Sequence, residues 1–172
     1  MNLSGTSVEQ ADLTHSFRLA MRELAGGVCA VSLGEGNERG GLVATSVTSL
    51  SVEPPTLLVC VNRSASAWPL FQRYRNFSVN ILGFHHLDMA RHFSGMTGAV
   101  GTQRYDVGNW MQAANGVSIL GDALVVIGCE VEDVLERYSH GIVIGRARSI
   151  TPVQTGDALI YQRGGYATLA TS

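Results

Sequence analysis

The chain has 172 residues, of which 45% are hydrophobic and 15% charged, against roughly 25% charged in an average soluble protein. Lys and Arg together number 12 and the net charge is −2, so no basic stripe marks a nucleic-acid partner. No apolar run reaches the ~18 residues of a membrane span. With so few charges to cover a surface, part of that surface is expected to be buried in a second copy, as a homodimer.

The first residues, MNLSGTSVEQADLT, carry neither the charged nor the apolar segment of a signal peptide. Residues 1–13 are expected to be a disordered lead-in, and 14–170 a single domain. Cys29, Cys60 and Cys129 stand far apart in apolar runs. That is the pattern of reduced, buried thiols in a cytoplasmic protein, not of a disulfide framework.

A first helix is predicted where Phe17, Ala20, Met21 and Leu24 recur at helical spacing, with Thr14 as its cap and Gly26 and Gly27 as its stop. Strand signals then dominate. Residues 28–33 and 41–47 flank a Gly-rich hairpin loop, and TLLVCV (56–61) follows Pro54-Pro55. Ser64 or Ser66 is expected to cap a short helix ending near Tyr74, with Pro69 in its first turn. FSVNIL (77–82) reads as a strand and LDMARHF (87–93) as a short helix. Residues 94–116 read as irregular, anchored by Tyr105 and Trp110. VSIL, a long strand over about 123–136, a return strand GIVIGRARSI, ALIYQ and YATL complete the chain. Many short strands and few helices predict a mainly β fold, a closed or nearly closed antiparallel barrel with helices at its ends.

Gly34, Gly36 and Gly40 come close to a dinucleotide fingerprint, but a strand follows them where a helix is required, so they read as a hairpin turn. His85, His86 and His92 lack the spacing of a metal site, and no metal is expected. The hydroxyl run is more informative. Thr45, Ser46, Thr48, Ser49 and Ser51 alternate along a strand. Asn62-Arg63-Ser64-Ala65-Ser66 then places amides, hydroxyls and a cation at a predicted helix start, which suits an anion. Edge-strand and capping roles explain the same residues, and both readings stand on the residues alone.

The order GLVATSVTSLSVEPPTLLVCVNRSAS, FSVNIL, ARHF, SHGIVIGR and LIYQRGGY resembles the flavin reductase family over nearly the whole chain, from Phe17 to Leu169. These are the small reductase components of two-component flavin monooxygenases. The resemblance implies a Greek-key split antiparallel β-barrel with peripheral helices. It also implies hydride transfer from NADH or NADPH to FMN or FAD, and a flavin-dependent monooxygenase as the partner that receives the reduced flavin.

By the same resemblance, Thr45, Ser46, Val47, Thr48 and Ser49 line the ring and ribityl chain, and Asn62, Arg63, Ser64 and Ser66 take the ribityl chain and phosphate. Asn80 approaches the ring edge, and Arg91 and Phe93 close over the phosphate or adenylate side. On the nicotinamide side stand His140 (the catalytic candidate), Gly141, Arg163 and Tyr166. The family's Gly-Asp-His segment reads Tyr138-Ser139-His140 here. That departure leaves open a non-catalytic module holding flavin or haem, or a reductase of another acceptor such as ferric chelates.

Overall fold

The computed structural model describes residues 4–169. Helix α1 (Ser4–Arg22) precedes β1 (Gly26–Gly27), β2 (Cys29–Leu33), β3 (Gly40–Ala44), β4 (Val47–Val52) and β5 (Pro55–Asn62). Then come α2 (Trp68–Arg73), β6 (Asn76–Ile81), α3 (Leu87–Phe93), β7 (Trp110–Gln112) and β8 (Ser118–Leu120). The chain finishes with β9 (Val125–Arg137), β10 (His140–Ile150), β11 (Ile160–Gln162) and β12 (Gly165–Ala167).

Seven strands form one antiparallel sheet in the order β3-β2-β6-β9-β10-β5-β4. Its two edge strands, β3 and β4, are consecutive in the chain, joined only by Thr45 and Ser46. A two-residue link cannot span a flat seven-stranded sheet, so the sheet must roll until its edges meet. Register shifts at Ile144/Gly145 and Ala147/Ser149 bend the long β9–β10 ladder as that curl requires. The expected split barrel is therefore present, with its seam at Thr45–Ser46.

Alternation fills the barrel. Val31, Val59, Val61, Phe77, Val79 and Val143 point inward and are fully buried. Trp68 and Phe71 of α2 close one end. A second cluster, including Ala30, Leu82, Phe93 and Leu120, lies outside the barrel wall beneath α3 and β8. Strand β6 is consequently covered on both faces.

Several boundaries differ from expectation. The segment read as a disordered lead-in is helical from Ser4 onward; Glu9, Gln10, Ala11 and Leu13 are good helix formers. Thr14 lies inside the helix, its hydroxyl donating to the Gln10 carbonyl at 2.9 Å in place of a cap. Gly26 and Gly27 form a strand that pairs with β11 instead of stopping the helix. The strand expected over 41–47 breaks at Thr45, and the hydroxyl run continues as β4. Helix α2 starts at Trp68 with Ala67 at its cap, not Ser64 or Ser66. Asn62 Oδ1 instead accepts the Ser64 amide and hydroxyl at 2.9 and 2.8 Å, closing a local turn before the helix.

Candidate functional site

The seam is built by hydrogen bonds that cross it. The Ser46 hydroxyl donates to the Cys60 carbonyl at 2.9 Å, and the Cys60 amide donates to the Ser46 carbonyl at 3.4 Å. Beyond Cys60 the chain leaves β4, so β5 runs on to Asn62 with β10 alone beside it; His140 lies opposite Asn62 and Gly141 opposite Val61. The Arg63 amide donates to the Ser139 carbonyl at 2.9 Å. The sheet thus gathers Thr45, Ser46, residues 62–66 and His140 at one end of the seam. The strand register is what sets His140 beside Asn62.

Thr45 has a special position. It is exposed and lines two adjoining clefts. The first, of about 260 Å³, has Val28, Val43 and Ala44 as its apolar floor, Ser94 as a hydroxyl, and Tyr161 and Tyr166 as a wall. That is slightly below the ~300–1,000 Å³ of small-ligand sites. At Thr45 and Tyr161 it meets a second cleft of about 470 Å³ bordered by Arg18, Arg22 and Arg163. The two tyrosine rings meet edge-on with centroids 5.1 Å apart. Burial pushes the Tyr166 phenol up, and Tyr161 beside it adds to this, so its hydroxyl is a donor at neutral pH. Gly26 lets Thr45 sit where it does: a Cβ there would lie 2.8 Å from the Thr45 Cβ.

Other expected site residues lie elsewhere. Thr48 and Ser49 line the open end of the barrel, an apolar hollow of about 510 Å³ floored by Cys29, Leu57, Ile81 and Ile127. Val47 packs on the barrel core. Asn80 is fully buried: its amide donates to the Ala30 carbonyl and Ser78 hydroxyl, both at 2.9 Å, and its carbonyl accepts the Leu120 amide at 2.8 Å. It staples β2, β6 and β8 together and does not approach a ring edge. Phe93 is also fully buried, stacked 4.8 Å from Trp110 and edge-on to Tyr105, so it cannot close over a phosphate. Arg91, on the same helix, is half-exposed and lies 3.4 Å from Asp88.

Arg63 is committed to structure, pairing with Glu136 at 2.8 Å and donating to the Tyr138 carbonyl at 3.1 Å. Gly141 faces the core, where an added Cβ would overlap the Trp68 ring. His140 is exposed, its Nδ1 2.9 Å from the Ser139 hydroxyl. Tyr138 takes φ +51 in the two-residue turn between β9 and β10. The departure from Gly therefore falls on a position where a left-handed backbone favours glycine. Arg163, at φ +52, pairs with Glu23 at 2.6 Å. The sequence reading did not single out Ser94, which follows α3 in a stretch without a period, or Tyr161, which reads only as one residue of the closing segment ALIYQ.

The histidines divide. His92 bonds the Gln103 carbonyl and Thr97, while His85, His86 and Asp122 come within 4.8 Å of one another. His86 Nδ1 accepts the Gly83 amide at 3.1 Å, which leaves the proton on Nε2, pointing toward Asp122 at 3.4 Å. A protonated Nε2 has no lone pair for a metal. Cys29 and Cys129 are buried with thiols pushed up to about 12 by desolvation, and all three cysteines are free.

The flavin reductase like domain family matches residues 21–170. The reductase component of 4-hydroxyphenylacetate 3-monooxygenase from Pseudomonas aeruginosa is 31% identical over 85% of this chain and 86% of its own. An FMN reductase (NADH), RutF 2, from Methylorubrum extorquens is 33% identical over 95% of this chain and 94% of its own. Among solved structures, BorF, the flavin reductase component of a bacterial two-component tryptophan halogenase, superposes with a TM-score of 0.83 at 26% identity, covering 92% of this chain and 99% of BorF.

Proposed function

The chain belongs to the flavin reductase like domain family, and on that premise we propose that it passes hydride from the nicotinamide C4 of NADH or NADPH to the N5 of FMN or FAD, for delivery to a separate monooxygenase. The enzyme is an NAD(P)H:flavin oxidoreductase, as its relatives named FMN reductase (NADH) are. The reaction is NAD(P)H + oxidised flavin + H⁺ → NAD(P)⁺ + reduced flavin. The two ring systems supply the redox chemistry, so a catalytic triad is not needed.

The observation that carries the reading is Thr45 at the seam, where the two clefts meet. An isoalloxazine is a flat apolar plate with a hydrogen-bonding rim. The floor of Val28, Val43 and Ala44 suits the plate, and the Thr45 and Ser94 hydroxyls suit the rim. Tyr166 keeps its phenolic proton and can donate one hydrogen bond. Together these side chains bind, orient and partly exclude water, which is the protein's share of a hydride transfer. His140 is placed beside Asn62 by the ladder and serves as the nicotinamide-side candidate.

Delivery to a monooxygenase is supported by relatives that are reductase components of two-component systems. A homodimer is supported by apolar surface left open in one chain: Val52 and Ile150 at the rim of the barrel end, and Leu13 and Phe17 on α1, are all more than half exposed. No helix among the described residues is long and apolar enough to cross a membrane.

Thr45→Leu tests the placement. Thr45 is exposed and lines both clefts, so a leucine there places its bulk where they meet. Flavin affinity, read by quenching of flavin fluorescence, is expected to fall at least tenfold (about 1.4 kcal/mol). Ser46→Ala, which removes one hydrogen bond to Cys60, is expected to cost about 1 kcal/mol of stability and little affinity. Unchanged flavin affinity in Thr45→Leu refutes the site.

A further inference from the structure

The second cleft has a use that ring binding does not explain. Arg18 and Arg22 lie one helical turn apart on the same face of α1, and both border this cleft with Arg163. Like charges at that spacing weaken a helix. They also gather positive charge in a chain whose net charge is −2.

The arrangement is held by a polar rivet at the C-terminal end of α1. The Arg163 amide donates to the Arg22 carbonyl at 2.9 Å, and Arg22 Nη2 donates back to the Arg163 carbonyl at 2.8 Å. Gln162 Nε2 donates to the Glu23 carbonyl at 2.7 Å. Glu23 takes the Arg163 guanidinium with two short contacts, 2.7 and 2.6 Å. Arg163 achieves this from φ +52, a backbone region costly for an L-residue. Its turn with Gly164, at φ +85, would suit Asn or Gly better. The Glu23 carboxylate is spent on Arg163. Arg18, a turn further out, makes no ion pair among the described residues and borders the cleft where it meets Thr45 and Tyr161.

We propose that Arg18 and Arg22, fastened to the Arg163 turn, bind the diphosphate of a dinucleotide whose reactive ring enters the Thr45–Tyr166 cleft. This rests on reading that cleft as the flavin reductase site. Guanidinium groups bind phosphate oxygens in paired, charge-assisted hydrogen bonds, and a dinucleotide carries its diphosphate well away from its reactive ring. Both NAD(P)H and FAD share that chemistry, whereas FMN has only a monophosphate. The contiguity of the two clefts at Thr45 and Tyr161 gives one ligand access to both.

The test is calorimetric titration of ADP, which carries the diphosphate without a redox ring, into the full-length protein and three variants. Arg18→Ala is expected to weaken ADP about tenfold, as for loss of one charged hydrogen-bonding group, and Arg18→Lys to retain part of the affinity. Arg75→Ala, which removes an equal charge from the distant β9–β10 face, is expected to match the parent chain. ADP affinity that is unmoved in Arg18→Ala, that falls equally in Arg75→Ala, or that is undetectable in the parent chain overturns the proposal.

Steady-state kinetics then identify the source. A raised KM for NADH with FMN as acceptor assigns the arm to the nicotinamide nucleotide. A raised KM confined to FAD assigns it to the flavin dinucleotide. Arg18-dependent ADP binding in a protein that oxidises no NADH leaves the arm standing and refutes the reductase reading instead.

Discussion

Gly141→Ala isolates how the barrel end and the seam depend on one another. Gly141 is buried in β10, and a methyl group there would overlap the ring carbons of Trp68, which plugs the barrel from α2. Neither partner yields easily: β10 is bonded on both sides by β5 and β9, and Trp68 is only 6% exposed. Overpacking of a closed core costs about 1–3 kcal/mol, and overlap with a rigid ring belongs at the upper end. For a chain of this length, about 3 kcal/mol lowers the melting temperature by roughly 6–12 °C.

The assay is thermal unfolding of the parent chain, Gly141→Ala, Trp68→Leu and the double variant. Trp68→Leu alone is destabilising because it leaves a cavity. In the double variant the new methyl occupies part of that space, so the double loss is expected to be smaller than the sum of the single losses by 1 kcal/mol or more. Strictly additive losses, or a melting temperature for Gly141→Ala within 2 °C of the parent, would refute the close approach. The same result would return Gly141 to the nicotinamide side, where the family resemblance put it.

Two further outcomes are expected. Asn80→Ala removes three buried hydrogen bonds and strands the Leu120 amide. It is expected to cost about 2–4 kcal/mol in urea unfolding while leaving flavin affinity within twofold; a large loss of affinity in a stably folded variant would show contact with the ring. His86 is held below its ordinary value by burial first and by His85 second, against the pull of Asp122. The folded chain therefore takes up its proton at lower pH than the unfolded chain. Stability from this group is full above the unfolded value of about 6.5 and is lost as pH falls below it. Melting temperatures followed from about pH 7.5 to 5.5 are expected to decline less steeply in His86→Leu than in the parent chain; equal slopes contradict this.

Local pattern was enough to read α3, whose Met89, Ala90 and Phe93 recur at helical spacing, and the strands that fill the barrel. Phe93 illustrates the limit of resemblance: the family likeness set it over the phosphate, whereas the helix buries it against Tyr105 and Trp110. Asn80 lies in a strand buried on both faces, and its partner Leu120 is 40 residues away; nothing local shows that the asparagine is consumed by structure. The break at Thr45–Ser46 is equally non-local. Hydroxyls on both sides of it favour strand, and only the meeting of the two sheet edges forces the chain to cross there. That crossing separates the hydroxyls into Thr45 at the clefts and Thr48 and Ser49 at the barrel end.

The central claim is that the seam brings a nicotinamide and a flavin together for hydride transfer. The most direct measurement uses purified protein with NADH or NADPH deuterated at C4 and an excess of FMN or FAD under anaerobic conditions, following nicotinamide and flavin absorbance together. The account predicts stoichiometric loss of both signals, slowed by the C4 deuterium and strongly reduced in Thr45→Leu. Oxidation of neither nucleotide with either flavin would contradict it.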